Sequence, residues 1–401
     1  MMKFTLFSRS RGSIKNKKIQ QDNHNYRKFN WTLLIVSLLP VLFIGFFNIA
    51  VDPYGILSTP SFSGFNQFKP EQDTHNSLVK TIDVIRFKPT TVLLGSSRVI
   101  IGLDPSHPGL IDSQNAYNLG IPAIHLPELN HYVEHVIINQ SQAKQMVIGL
   151  DFFMFGEFDK DPRKLNDNLG KNKISLNMLM DILISWQTFE DSQSTVIANL
   201  NSKGIENYYF RGMRIIGDSN NKINGRLIPN MRTRFQKDIS SYLEWYYSNY
   251  KLSNNALEIY KEIVDLCQRK NIDIKVFISP ESASQLEAIR LAGLWSVFEQ
   301  WKRELSQITP LWDFSGYNSI TTEPISDDME YFLDGTHYSK QVGDWVLNRV
   351  LSYQEKSVPK DFGILITPEN IESHLAKIRG ERELWAKQHP DEVMFVEDLK
   401  E

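Results

Sequence analysis

The stretch Thr91-Val92-Leu93-Leu94-Gly95-Ser96-Ser97-Arg98 decides how the rest of the chain is interpreted. Four β-branched or aliphatic residues between Pro89 and Gly95 are typical of a short central strand that is covered on both faces. Two serines stand at the predicted exit of this strand, at the edge where open α/β sheets place their chemistry. A helix beginning there would favour a developing negative charge. Taken alone, however, Gly-Ser-Ser is common, and an N-cap serine after a strand is the more ordinary interpretation.

Predicted strands and helices alternate through most of the chain. Further strands are predicted at 115–119, 145–151, 272–278 and 310–314, with helices at 77–87, 127–137, 256–269, 281–306 and 342–353. This alternation predicts a doubly wound α/β domain over 76–355, with a parallel sheet and helices on both faces. The pattern loosens over about 152–255, which is predicted to be a helical insertion. Residues 356–401 are predicted to be a charged C-terminal tail with one helix near 371–388.

An apolar segment near the N-terminus predicts a membrane anchor. Residues 31–51 contain no charge and, as a helix, would span about 30 Å, the thickness of a bilayer core. Eight basic residues and one acidic residue precede this segment. The positive-inside rule therefore predicts a cytoplasmic basic tail (1–30) and an extracytoplasmic remainder, as in a single-pass protein of the plasma (inner) membrane. A cleaved signal peptide is the alternative, but the long basic region favours an uncleaved anchor followed by a linker at 52–75.

Composition narrows the classes of partner. The residues after the apolar segment carry a net charge near −10 and have no basic stripe interleaved with aromatic residues. Nucleic acid is therefore not an expected partner, whereas the lipid bilayer is expected to contact residues 31–51. The single cysteine, Cys267, excludes an intramolecular disulfide and a cysteine-based zinc site.

Asp334-Gly335-Thr336-His337 lies just before the predicted closing helix and supplies a second set of reactive side chains. An aspartate three residues before a histidine can hold one ring nitrogen, which leaves the other nitrogen to face a hydroxyl. A serine hydroxyl needs such a base before it can act as a nucleophile. A serine at the exit of the first strand, His337 and Asp334 are therefore predicted to be catalytic, although His337 could instead be a core residue at a helix N-terminus.

The order of these motifs resembles that of the SGNH, or GDSL, hydrolase superfamily. Gly95-Ser96-Ser97 is similar to the first signature block, normally Gly-Asp-Ser, so the resemblance implies that Ser97 is the nucleophile. Gly120 matches the glycine whose N–H helps to form the oxyanion hole. Asp334 and His337 match the last block. The third block, normally Gly-x-Asn-Asp, is represented by Gly149-Leu150-Asp151-Phe152. The resemblance covers roughly residues 90–150 and 270–350.

This resemblance implies a flavodoxin-like, SGNH-like sheet. Together with the membrane anchor, it is most similar to the branch that modifies cell-envelope polymers, which includes proteins of alginate acetylation and teichoic-acid D-alanylation. It implies transfer or hydrolysis of an acyl ester, most simply acetyl, on a cell-surface polysaccharide. It is compatible with a polytopic membrane protein as acyl donor and implies no cofactor. The alternative is a non-catalytic glycan-binding or scaffold protein of the cell envelope on the same fold.

Asp151 stands where the family has an asparagine that donates to the oxyanion. An ionised carboxylate cannot donate a hydrogen bond, and its charge would oppose an oxyanion close by. We therefore expect either that the Ser97 and Gly120 amides form the oxyanion hole with help from Arg98, or that the site is not that of an ordinary esterase. Alternatively, Arg98 holds Asp151 in a structural ion pair. Asn118 is a further candidate donor, but it could also be a turn residue at the end of a strand.

Two other patterns could indicate binding sites. His131-Tyr132-Val133-Glu134-His135 fits an inverted zinc-protease motif, but both histidines are expected to lie in water on the polar face of a helix, and no metal is predicted. A cluster of aromatic residues could stack on sugar rings, although its helical spacing is more typical of packing; it comprises Tyr242, Trp245, Tyr246, Tyr247 and Tyr250.

Overall fold

The computed structural model describes residues 11–157, 169–201, 207–216, 222–223, 226–227 and 230–400. Residues 1–10 of the predicted basic tail, and the remaining parts of the predicted insertion, lie outside the described residues. Within the described ranges the chain forms two units. The first contains the residues up to 69 together with 175–201, and the second contains 70–174 and 202–401.

The second unit is built on a six-stranded sheet in which β1 lies between β3 and the edge strand β2. The described strands of this unit, including those outside the large sheet, are β1 (Thr91–Gly95), β2 (Ala116–Gly120), β3 (Gln145–Leu150), β4 (Asn207–Phe210), β5 (Met213–Ile216), β6 (Lys222–Ile223), β7 (Arg226–Leu227), β8 (Asp273–Ile278), β9 (Leu311–Asp313) and β10 (Ile364–Ile366). The sheet has the order β10-β9-β8-β3-β1-β2, and the pairs β4–β5 and β6–β7 form two small separate hairpins. All neighbours in the large sheet are parallel except β10, which runs antiparallel to β9. The predicted α/β class with a parallel central sheet is confirmed, and the predicted strands agree with β1, β2, β3, β8 and β9 to within one or two residues.

The helices complete the alternation. They are α1 (Arg11–Val51), α2 (Asn76–Phe87), α3 (Ser97–Gly102), α4 (Leu126–Asn139), α5 (Leu176–Leu183), α6 (Trp186–Asn201), α7 (Met231–Ser241), α8 (Asn254–Arg269), α9 (Ala283–Leu291), α10 (Trp295–Ile308), α11 (Lys340–Val350), α12 (Ile371–Gln388) and α13 (Pro390–Glu397). A π-helical turn, Tyr242–Tyr247, continues α7. The single helix predicted over 281–306 is divided into α9 and α10. The reason is Gly293, whose φ of +74° turns the chain between the two helices.

The first unit contains α1, α5 and α6. Residues 24–51 of α1 form a helix that is long and apolar enough to cross a membrane, by length and composition. Residues 52–69 of the segment predicted as a linker belong to this unit. The Asp52 carboxylate accepts the Leu57 N–H at 3.1 Å, and Lys69 Nζ donates to the Val51 carbonyl at 2.6 Å. Of the predicted insertion, α5 and α6 belong to the first unit, whereas its other described residues belong to the second.

The C-terminal segment is part of the folded α/β unit, which corrects its prediction as a charged tail. Strand β10 pairs with β9, and α12 occupies the bounds predicted for a helix. Ile371, Leu375, Ile378 and Trp385 of α12 are buried. Their helical spacing forms an apolar stripe between charged residues, which explains why a segment of high average charge still packs against a core.

The strand order places a crevice at the carboxyl edge of β1. The chain leaves β1 toward β2 on one side, and the next strand, β3, lies on the other side. Such a reversal of strand order is where open parallel sheets place their ligands. Gly95 ends β1 with a φ of +150°, and a Cβ there would lie 2.5 Å from Val99 Cγ2 and 2.8 Å from the Gly149 carbonyl oxygen. Only glycine fits this approach of β1, α3 and β3, which brings the two serines to the sheet edge.

Candidate active site

Ser97 is the first residue of α3, and its hydroxyl points at the loop that precedes α11. Its Oγ lies 2.8 Å from His337 Nε2. The other ring nitrogen, Nδ1, lies 2.8 Å from Asp334 Oδ2. With Nδ1 protonated toward Asp334, Nε2 is the acceptor for the Ser97 hydroxyl. The structure therefore brings together the three side chains predicted to be catalytic, in the order hydroxyl, imidazole and carboxylate.

Asp334 is held ionised by its own loop. Its Oδ1 accepts the N–H groups of His337 at 2.7 Å and Thr336 at 2.9 Å. Burial alone would raise the pKa of Asp334, but the neighbouring imidazole and these two amides outweigh burial and lower the pKa well below its ordinary value. The carboxylate can therefore stabilise a positive charge on His337, whose side chain is 21% exposed and open to a substrate.

Asp238, on α7, is a second carboxyl group beside Asp334 that was not predicted from the sequence. Its Oδ2 accepts the Gly335 N–H at 3.2 Å. Burial and the negative charge of Asp334 raise the pKa of Asp238 to about 7. Helix α7 and the loop at Gly335 are in close contact, because a Cβ on Gly335 would lie 3.2 Å from the Asp238 Cβ. Asp238 thus holds the glycine of the Asp-x-x-His loop from the opposite side.

Arg98 and Asp151 form a buried ion pair beneath the triad. Arg98 Nη1 lies 2.8 Å from Asp151 Oδ1 and 2.7 Å from Glu281 Oε1, and Arg98 Nε donates to the Thr336 carbonyl at 3.0 Å. The second Asp151 oxygen accepts a short hydrogen bond from Ser96 Oγ. Burial opposes the charge on Arg98, but Asp151 and Glu281 raise its pKa above its ordinary value. Both Asp151 oxygens are therefore bonded within the protein, one to Arg98 and the other to Ser96.

Glu281 completes this cluster and was also not predicted. Burial raises the pKa of its carboxyl, and the Arg98 guanidinium opposes that shift. Glu281 follows Pro280 at the exit of β8, so its position at the same sheet edge as the serines could have been inferred from the predicted strand.

The structure uses Asn118 and Gly120 differently from the expectation that they donate to an oxyanion. Asn118 is fully buried, and its Nδ2 donates to the Val99 carbonyl at 2.7 Å and the Leu103 carbonyl at 2.8 Å. Its Oδ1 accepts the Gly120 N–H at 3.1 Å. The Asn118 amide thus fastens the C-terminal end of α3 to β2, and the Gly120 N–H has a protein partner.

A buried amine holds the same turn from the other side. Lys80 Nζ, on α2, donates to the Gly120 carbonyl at 2.6 Å, and burial lowers the pKa of Lys80 well below its ordinary value. A Cβ at Gly120 would lie 2.9 Å from both Ile100 N and the Ser96 carbonyl oxygen. The end of β2 is therefore fixed tightly against the start of α3.

The predicted aromatic cluster mostly packs inside the second unit. Tyr247 and Tyr250 are buried, and the Tyr250 ring lies 4.3 Å from that of Phe152. The Tyr242 ring faces the Arg98 guanidinium at 5.9 Å. Trp245, by contrast, is 72% exposed, so of the cluster it is the residue most open to a ligand.

The histidine motif on α4 does not form a joint site. His135 is fully buried, which corrects the expectation that it lies in water, because α2 covers this face of α4 and the Thr81 carbonyl lies 3.0 Å from His135 Nε2. His131 is partly exposed, and its Nδ1 lies 3.7 Å from Glu134 Oε2. Across the part of the chain that the structure describes, no group of three or more His, Cys, Asp or Glu side chains is placed to hold a metal ion.

Comparison with known proteins gives one family. A family model described as "Protein of unknown function (DUF1574)" matches residues 130–343, which include Asp151, Asp238, Asp334 and His337 but not Ser97. No curated protein matches the chain. Because the family model covers more than half of the 401 residues, the chain belongs to the DUF1574 family.

Proposed function

We propose that this protein is a membrane-anchored serine enzyme that transfers or hydrolyses acyl esters on a cell-envelope glycan. The observation that carries the proposal is the pair of 2.8 Å contacts that join Ser97 Oγ, His337 and Asp334 in a line. An ionised carboxylate, an imidazole and a serine hydroxyl in this order form the unit that makes serine nucleophilic.

In the proposed reaction, Ser97 Oγ attacks the carbonyl carbon of the acyl donor while His337 Nε2 accepts the hydroxyl proton. The imidazolium, stabilised by Asp334, then protonates the leaving alcohol as the ester bond breaks, which leaves the acyl group on Ser97. A hydroxyl of the glycan, or water, next attacks this acyl-enzyme and gives its proton to His337. The product ester or acid then leaves, and the Ser97 hydroxyl is restored.

The proposed fold is SGNH-like and flavodoxin-like. In its support, the parallel strands have the order β2-β1-β3-β8-β9, which is the flavodoxin-like 2-1-3-4-5 order when only these strands are counted. The Ser97 N–H, at the first helical position, has no intrahelical acceptor and is the proposed first oxyanion donor. Gly120 could be the second donor only if its N–H exchanged Asn118 Oδ1 for the oxyanion.

The proposed location is the outer face of the plasma (inner) membrane. Its support is the basic sequence before α1, which the positive-inside rule keeps in the cytoplasm. A domain outside the cytoplasm would meet surface polysaccharide as acceptor and would depend on a membrane-embedded protein to deliver the acyl group. A reporter that is active only outside the cytoplasm should work when fused after Glu401 and fail when fused before Asn30; the reverse pattern would refute the orientation.

The catalytic part of the proposal can be tested with a fluorophosphonate probe, which reacts with activated serines. The full-length protein in detergent should be labelled, and Ser97→Ala should abolish the label. Ser96→Ala is the matched control, because this neighbouring hydroxyl is buried and bonded to Asp151. Labelling that survives in Ser97→Ala but is lost in Ser96→Ala would exclude Ser97 as the nucleophile.

A further inference from the structure

Helices α5 and α6 pack on the C-terminal part of α1. The Phe189 ring of α6 lies 5.5 Å from the Phe47 ring and 6.5 Å from the Phe43 ring. A Cβ on Gly45 would lie 3.9 Å from the Leu183 carbonyl oxygen, at the end of α5. The pair α5–α6 therefore covers the last turns of the apolar helix.

The position of these contacts along α1 gives their depth in a membrane. Lys28 is the last charged residue before the apolar segment, which therefore fills the bilayer core from about Trp31 to Val51. At 1.5 Å per residue, Phe43 lies about 12 Å below Val51 along the helix. A side chain of α6 that touches Phe43 thus reaches below the surface of the hydrocarbon core.

Asn48 makes a second contact below the surface of the hydrocarbon core, about 4.5 Å from Val51 along the helix at 1.5 Å per residue. It is a polar residue inside the apolar segment and is buried in the structure. Its Nδ2 donates to the Leu183 carbonyl at 2.9 Å, and its Oδ1 accepts the Ser192 hydroxyl at 2.9 Å. Polar groups within a bilayer must find protein partners because lipid tails offer none. The end of α5 and the second turn of α6 supply those partners.

The outer surface of α5 and α6 is apolar in a helical pattern. Its large exposed side chains are Leu176, Met180, Ile184, Trp186, Ile197 and Leu200. The first three are spaced by four residues and form one apolar stripe along α5. The last three fall within about 60° of one another on α6 at 100° per residue, an arc that also contains the exposed Gln193, so this face of α6 is apolar toward its two ends. This surface continues the exposed apolar surface of α1, where Phe43 and Phe46 are more than half exposed.

We propose that α5 and α6 form a second membrane-contacting element, which lies in the interface of the leaflet at the C-terminal end of α1 with its apolar stripes against lipid acyl chains. Trp186 suits the boundary between the headgroups and the acyl chains, because its ring is 62% exposed while its Nε1 donates to Glu190 at 2.8 Å. Tryptophan with one polar end prefers this boundary. Residues 175–201 contain no Lys or Arg, so the contact is with acyl chains and does not require anionic headgroups.

The test uses tryptophan quenching in the full-length protein, reconstituted into phosphatidylcholine vesicles that contain brominated acyl chains. The difference in emission between wild type and Trp186→Phe isolates Trp186, and Trp245→Phe isolates an equally exposed tryptophan of the other unit as a control. Bromine should at least halve the Trp186 emission, most strongly when placed near the headgroup end of the chain. It should leave the Trp245 emission nearly unchanged.

Two results would overturn the proposal. Quenching of Trp186 by aqueous iodide but not by brominated lipid would place the pair in water. Protection of Trp186 from both quenchers would mean that another protein surface covers the stripes. Replacing a quarter of the phosphatidylcholine with anionic lipid should not change the quenching, and a strong increase would mean that headgroup charge, rather than acyl contact, holds the helices.

Discussion

Asp151→Asn removes one charge from the buried cluster beneath the triad and leaves the shape of the side chain unchanged. The new amide can still accept from Arg98 Nη1 and can still bond Ser96 Oγ, which are the two partners of the carboxylate. The substitution therefore tests the charge of the ion pair rather than its packing. It also tests whether position 151 can serve an oxyanion, because the new N–H is a donor.

The expected loss in the free energy of unfolding of Asp151→Asn follows from the burial of the Arg98–Asp151 ion pair. Both side chains of the Arg98–Asp151 pair are at most 1% exposed, and removing one partner of such a pair costs about 3–5 kcal/mol because it leaves an uncompensated charge. Glu281, 2.7 Å from the same nitrogen, remains as a partial counter-ion, so the lower end, about 3 kcal/mol, is expected. Burial raises the pKa of Glu281 and reduces its share of the negative charge. Glu281→Gln should therefore cost only about 1 kcal/mol.

The measurement is equilibrium urea unfolding of the full-length protein in detergent for wild type, both single variants and the double variant. Slopes should stay constant, so that midpoints report the free energy of unfolding. Ester hydrolysis by Asp151→Asn should fall, because Arg98 also holds the Thr336 carbonyl beside His337. A loss for Glu281→Gln equal to or larger than that for Asp151→Asn would refute the assignment of Asp151 as the main counter-ion. A gain in hydrolysis would show that the new amide reaches the oxyanion.

Three further outcomes are expected. Ser97→Ala, His337→Ala and the double variant should lose activity to the same residual level, on the order of 10⁴-fold or more, because the triad acts as one unit; additive losses in a steady-state assay would contradict this. The melting temperature of Asp238→Asn, measured relative to that of wild type, should increase as the pH is raised from 4 to 8. The folded wild type keeps the Asp238 proton to a pKa of about 7, whereas the unfolded chain releases it near 3.8, so wild type loses stability as the pH rises through that window. Gly120→Ala should lower the free energy of unfolding by about 1–3 kcal/mol and slow fluorophosphonate labelling, because its Cβ would press on backbone atoms of Ser96 and Ile100; unchanged values for both would refute the fixed turn.

The sheet was predictable because its strands are short apolar runs with turn residues at both ends. A contact between His337 and a serine at the exit of β1 was predictable from chemistry, since a serine nucleophile needs a base that a carboxylate orients. The choice of Ser97 over Ser96 came from the family resemblance. Asp238 was not predictable, because a single aspartate on a polar helix carries no sign of the loop it will meet. The burial of His135 depends in the same way on which helix covers α4.

Other differences could have been found in the sequence. The buried positions of α12 repeat at helical intervals, but the average charge of the C-terminal segment hid them. Gly293 interrupts the helix predicted over 281–306 at the place where the structure turns. The assignment of α5 and α6 to the unit of α1 required tertiary contacts, because the apolar stripes of these helices are equally compatible with an ordinary core.

The position of β8 beside β3 has a consequence during synthesis. Gln145 and Asp273 are partners across these strands but lie 128 residues apart in the chain. At 5–20 residues per second, about 6–25 s pass between the emergence of one strand and the other. Through that interval β3 presents an unpaired, apolar edge to any strand nearby, which is the geometry that starts aggregation. A nascent chain paused within the insertion therefore exposes the strand edge that β8 later covers.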